Sequence, residues 1–353
     1  MHEESSSCFF HFENKRIIIE KPKNMPDPGP YYPCIVAMKD IPNFPFEYCL
    51  YFSTDHHRKN GGIWLYLCNG IPSEPKNWKS YDQAVKDGDF NYIGTKPKCN
   101  PIYMDKIQGK HHTETCHVNI VDGKVYMTYH HSSAFGMQPT LLAISSDGIN
   151  FERYNGNEKS IILDAKENGG HTGYFRWGPN PFHRVENKFI GYSLHGGGNN
   201  YHSALWGSND AIKWEKIHIL TPKEGFAMQE KDLIMIWHEI NPNAVERIGD
   251  DEYVLLSAGG NRASGGATRI VKLFEIFLAG DGITLTRECR QIFDNGPKGS
   301  PDGEEAAEPT MVKIDDTWHL IYIGTSKKAK LNTVMAAVGK FNANAQPSKK
   351  IES

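Results

Sequence analysis

Long hydrophobic runs are missing from these 353 residues: no stretch reaches the roughly 18 apolar residues that a membrane-crossing helix needs, so a membrane is not expected as a partner. Charge of one sign is also missing. Lysine plus arginine number 39 against 42 aspartate plus glutamate, a net charge of −3, which leaves no electrostatic case for a polyanion and excludes nucleic acid. Cysteine is sparse. The seven are odd in number, scattered and never spaced C-x-x-C, which argues against a disulfide framework or zinc knuckle and points to a reducing, cytoplasmic setting. Residues 1–12 lack the basic region and apolar core of a secretory signal. Helical periodicity is nearly absent, with one short turn of helix expected over Lys79 to Asp87. The G-x-S-x-G and H-E-x-x-H motifs are lacking, as is any phosphate-binding glycine loop in a strand-to-helix context.

What is present is a repeat of roughly 65 residues. The segments 114–129, 180–192, 241–256 and 308–322 each read as a short apolar strand, a tight turn of Asp, Gly, Asn or Glu, and a second strand rich in aromatic and β-branched residues. A weaker first copy runs from Tyr31–Val36 to Tyr48–Ser53, making five. Second hairpins follow, as in Leu141–Phe151, Ala204–Trp214 and Ala267–Thr286. Two hairpins per copy build a four-stranded antiparallel sheet, so the expected fold class is all-β, a five-bladed β-propeller. The alternative is a β-sandwich, which needs no fixed period. The propeller is placed at residues 27–342, after an N-terminal extension (1–26) and before a polar C-terminal tail (343–353).

In a propeller, the residues before the first strand and after the second strand of every blade meet around the axis. That rule gathers Asp55 and His57 from the first copy, Glu114 and His131 from the second, and His171, Arg176, Trp177 and His195 from the third. The fourth contributes His238, Glu239 and Asn261, and the fifth Glu305 and Glu308. Paired carboxylates across a funnel suit glycosidic cleavage, one donating a proton and the other acting as base or nucleophile. Glu114, Glu239 and Glu308 are the catalytic candidates, with His238 as a proton-transfer partner; each of them has a structural alternative as an ion pair or a main-chain hydrogen bond. The remaining residues are expected to contact substrate: Asp55, His57, His131, Arg176, Trp177, His195, Asn261 and Glu305. Arg176 would hold an acidic or sulfated group, and Trp177, Tyr174 and Phe175 could stack on a sugar face. No cofactor is required by this reading, although the histidines could hold a divalent metal by tertiary proximity alone.

The hairpin plan, the Glu308-Pro-Thr-Met-Val312 start before Trp318–Tyr322, and the Ser145-Ser-Asp-Gly-Ile-Asn-Phe151 turn resemble the five-bladed propeller glycosidases: families 43, 32 and 117. The resemblance implies a small carbohydrate substrate. It also implies a family-43 triad of an aspartate before proline in blade one, an aspartate in blade two and a glutamate in blade three. Here the matching positions carry Tyr32 before Pro33, Thr115-Cys116-His117, and Asn180 before Pro181, so that triad does not carry over. A glycoside hydrolase is the leading expectation. A metal-assisted lyase or isomerase on an acidic sugar is the second, and a non-catalytic sugar-binding or interaction propeller the third.

Overall fold

The computed structural model describes residues 8–54, 61–105, 113–131, 137–155, 160–197, 200–230, 233–260, 271–326, 331–345 and 348–351. It is nearly all β. The expected helical turn forms at Tyr81–Asp87, where the Ser80 hydroxyl accepts from Gln83 N and Gly88 ends the helix in the left-handed region (φ 84°). No helix is long and apolar enough to cross a membrane among the described residues.

Three sheets stand apart. The first runs Pro30–Ala37, Tyr48–Thr54, Ile63–Cys68, Trp78–Ser80; the second runs Glu114–Val121, Lys124–His130, Thr140–Ser145, Ile161–Leu163, with Glu152–Arg153 also on its third strand; the third runs Arg176–Pro179, Phe189–Gly197, Asn200–Ser208, Glu215–Leu220. A larger sheet combines two antiparallel runs. Ala227–Glu230, Leu233–Gly249, Glu252–Gly260 and Val271–Ala279, with Arg290–Gln291 on the last of these, make one; Glu305–Ile314, Thr317–Ser326, Leu331–Phe341 and Phe10–Ile19 make the other. A single parallel pairing of Val271 with Glu305 joins them.

Two parts of the sequence reading change. In the third copy the first strand is Arg176–Pro179, and Asn180 lies in the turn behind it, where its Nδ2 donates to Val185 O and Asn187 O, both at 2.7 Å. The Asn-Pro pair mimics the Glu308-Pro309 strand start without being one. Phe10–Ile19, assigned to an extension, is instead the outermost strand of the last run, antiparallel to Leu331–Phe341. It is held from the neighbouring run too: Phe10 N donates to Glu275 Oε1 (2.5 Å), and Arg290 binds Glu275 Oε2 at 2.9 Å.

Turn chemistry repeats at the rim. The Oδ1 atoms of Asp147, Asp210 and Asp281 each accept from the amides two and three residues on, at 2.7–3.0 Å. Burial alone would raise these carboxyls, but the amides outweigh it and hold all three below the ordinary 3.8.

The cores lie between sheets. One buries Tyr51, Leu65, Met127, Tyr129 and Phe151 between the first and second, and another joins Phe182, Ile190 and Tyr192 to Leu255 and Ile276. Each sheet therefore covers its neighbour's apolar face.

Because the folded state prefers the charged form of Asp147, its contribution is complete above the ordinary carboxyl value and is lost as pH falls through the folded one. Asp147→Ala should cost about 1–3 kcal/mol at pH 7 in urea melts, with the gap to the unaltered protein closing below about pH 4.

Candidate active site

Side-chain hydrogen bonds link the first strands of the five runs in a circle. Tyr32 N donates to Glu308 Oε2 at 2.6 Å. Cys34 Sγ accepts from Val118 N at 3.2 Å and donates to Val118 O at 3.5 Å. His117 Nε2 and Asn119 Nδ2 both donate to Trp177 O at 2.7 Å, and Asn243 Nδ2 reaches the same carbonyl at 3.1 Å. Asn241 Nδ2 then donates to Pro309 O at 3.3 Å, returning to the run that holds Glu308. Gly178 makes room for this: a Cβ there would lie 1.9 Å from Asn243 Oδ1.

Each first strand, or in the third run the segment just before it, carries a non-glycine residue in the left-handed region: Tyr32 (φ 52°), Thr115 (52°), Tyr174 (58°), Glu239 (58°) and Glu308 (61°). At four of the five a register shift marks a β-bulge, between Tyr31 and Cys34, Glu114 and His117, His238 and Asn241, and Ala307 and Thr310. An L-residue there costs roughly 1–2 kcal/mol. That the positions carry Tyr, Thr and Glu, and no glycine, indicates that their side chains are needed.

Around these bulges the structure gathers one polar and aromatic cluster. Glu114 pairs directly across the sheet with His130, and its Oε1 lies 2.8 Å from His130 Nε2. Thr115 Oγ1 lies 2.5 Å from His130 Nδ1. His171 stands 5.5 Å from His130, ring centre to ring centre; Tyr174 is 5.8 Å from His171 and 6.4 Å from His130. Tyr32 meets Tyr174 edge to face at 4.6 Å, which ties Glu308 into the group through the Tyr32 amide. Gly173 is pressed onto both imidazoles, since a Cβ there would come within 2.8 Å of each.

The sequence candidates thus divide. Glu114 and Glu308 belong to this cluster, and Glu239 lies within Leu233–Gly249, the strand whose Asn241 reaches Pro309 O; all three are buried. His131 follows His130 and is buried. Glu305 opens the last run's first strand, opposite Thr325. His195 faces His202 across the third sheet, and its ring is held below the usual imidazole range by burial first, then by Lys216 and His202. Asp55, His57 and Asn261 lie outside the described residues, as does the side chain of His238.

Two assignments are corrected. Trp177 is fully buried, edge-on to Trp214 (5.7 Å) and Phe189 (6.0 Å), with its Nε1 donating to Thr128 Oγ1 at 3.1 Å, so its ring cannot stack on a ligand. Phe175 is buried beside it against Trp214. Arg176 is 2% exposed and its Nη1 donates to Pro33 O (3.1 Å) and His117 Nδ1 (3.3 Å). It braces the circle and does not present a cation to a charged substrate. Burial, then the Arg176 charge, pushes the His117 imidazole well below its ordinary value, so His117 is neutral, with its proton on Nε2 facing Trp177 O. Thr115 and Tyr32 were not expected as site residues; their signal was their place at the start of a first strand, level with Glu308. Among the described residues no three or more His, Cys, Asp or Glu side chains converge as a metal-ligand set.

No protein-family model and no curated protein matches the chain. In structure it is similar to an N-acetylgalactosamine deacetylase from F. plautii (TM-score 0.64, 13% identity, 95% of this chain and 97% of that one covered). It is also similar to a β-1,2-mannobiose phosphorylase from Listeria innocua (0.56, 12%, 93% and 97%) and an endo-arabinase from Bacteroides thetaiotaomicron (0.54, 9%, 93% and 98%). At 9–13% identity the likeness is one of fold. At these identities the propeller likeness concerns architecture, and the side chains at the axis have to be read on their own.

If Trp177 is a packing residue, Trp177→Ala will cost about 3–5 kcal/mol in a denaturant melt, as other large-to-small core changes do.

Proposed function

We propose that this chain is a five-bladed propeller enzyme that hydrolyses a glycosidic bond of a short oligosaccharide, with Glu239 and Glu308 as its carboxylate pair. The observation that carries this reading is the set of five left-handed positions around one axis, four of them at β-bulges, two of which, on neighbouring first strands, hold glutamate. Strain of this kind persists where function uses it, and bulges re-aim side chains beside active sites. The circle of hydrogen bonds through five first strands favours five blades.

Roles follow from the contacts. Glu308 accepts from the Tyr32 amide at 2.6 Å, a charge-assisted bond that keeps it an acceptor, as a base or nucleophile must be. Glu239 is then the proton donor to the leaving oxygen. Tyr32 and Tyr174, meeting edge to face beside Glu308, supply the aromatic surface for an apolar sugar face, and His131 and His171 supply hydrogen bonds to hydroxyls. The names of the similar structures, a deacetylase of an amino sugar, a phosphorylase of mannobiose and an arabinase, support a carbohydrate as the ligand. Glu114 is engaged by His130 and is not part of the pair.

A panel of aryl glycosides and natural oligosaccharides tests this reading. Glu239→Gln and Glu308→Gln should each lower kcat/KM about 10³-fold with little change in Tm, because glutamine keeps the volume and, at 308, an acceptor for Tyr32 N. A protein that cleaves no glycoside, or whose two variants stay active, would refute it.

A further inference from the structure

In a regular strand, neighbouring side chains point to opposite faces, so Glu114 and Thr115 should not be able to touch the same group. They do. The left-handed turn at Thr115 (φ 52°) and the register shift that follows bring both onto His130, Glu114 Oε1 at 2.8 Å from Nε2 and Thr115 Oγ1 at 2.5 Å from Nδ1. A β-branched residue is a poor choice for that backbone conformation. Its presence is explained by what the hydroxyl does there.

One tautomer, assigned from the network, satisfies both contacts: Nε2–H donates to the Glu114 carboxylate, and Nδ1 accepts the Thr115 hydroxyl proton. With both ring nitrogens committed, His130 is not placed to ligate a metal. A hydroxyl, an imidazole and a carboxylate in series are the parts of an activated nucleophile, recognised by geometry and roles whatever the order in the chain. We propose that Thr115, His130 and Glu114 form a nucleophilic triad that removes a small acyl group, carried on oxygen or nitrogen, through an acyl-threonine intermediate.

The steps balance. Thr115 Oγ1 bonds to the acyl carbon as its proton passes to His130 Nδ1, and Glu114 steadies the imidazolium through Nε2–H. Collapse breaks the bond from the acyl carbon to the leaving oxygen or nitrogen, which takes the proton from Nδ1. Water then attacks the acyl carbon, giving a proton to Nδ1; the bond from that carbon to Thr115 Oγ1 breaks, Oγ1 takes the proton back from Nδ1, and the carboxylic acid is released. No oxidant or metal is consumed. This activity goes beyond the glycosidic reading and uses neither Glu239 nor Glu308.

The full chain mixed rapidly with p-nitrophenyl acetate provides the test, read by p-nitrophenolate release and by peptide mapping of acid-quenched protein. The expected result is a burst of about one equivalent per chain with acetyl on Thr115. Thr115→Ser should keep the burst within about tenfold, and Thr115→Val should slow it about 10³-fold or more. Acetyl found only on other residues, no burst at all, or a Thr115→Val protein of unchanged Tm that retains the burst would each overturn the proposal. If Thr115→Val does not fold, the mapped position of the acetyl group in the unaltered protein decides. Aryl glycosides carry no acyl group, so their turnover bears on Glu239 and Glu308 alone.

Discussion

The circle of buried hydrogen bonds at the axis is the constraint on which the rest of the molecule depends. Five first strands meet there without forming a continuous ladder, so their main-chain groups need partners that side chains supply. Trp177 O takes three donors, Glu308 takes the Tyr32 amide, and Asn241 reaches Pro309 O. A buried group left without such a partner costs about 1–3 kcal/mol, so the polar residues of the circle hold the sheets in register as firmly as the apolar cores between them. This is why Arg176 and His117 are structural in spite of being the types of residue that a binding site uses. It also explains Gly178, where any side chain would collide with Asn243.

Above that circle the bulges set what faces the axis. A bulge lets a strand turn one extra side chain out of its regular alternation, and four of the five left-handed positions sit at one. The first and third runs contribute tyrosines that meet at 4.6 Å; the fourth and fifth carry glutamates; the second contributes a threonine hydroxyl to an imidazole already held by Glu114. The asymmetry is chemical, and the backbone beneath it is nearly symmetric.

The last run is completed by residues from opposite ends of the chain. Phe10–Ile19 completes the run whose other strands begin at Glu305, and Glu275, fully buried, anchors the Phe10 amide from the adjoining run with Arg290 beside it. Burial pushes the Glu275 carboxyl up, while the Phe10 amide and Arg290 pull it down. A strand that joins the last sheet only after the whole chain has been made couples the N-terminal segment to the stability of the site.

Hairpins with Asp-Gly or Asp-Asp turns between β-branched and aromatic runs, such as 114–129 and 308–322, were legible as sequence because turn geometry and strand alternation are local properties. The third copy was misread because Arg176–Pro179 is only four residues long and contains glycine and proline, while Asn180-Pro181 imitates a strand start. Phe10–Ile19 carries strand-like residues, but its partner lies more than 300 residues away, and no local pattern announces it. The sequence alone determined the all-β class, the repeat and which titratable residues stand at strand ends. Only the tertiary structure decided which of them are buried braces and which face the axis, since a single left-handed φ reverses the direction of a side chain and leaves no mark on the composition of the strand.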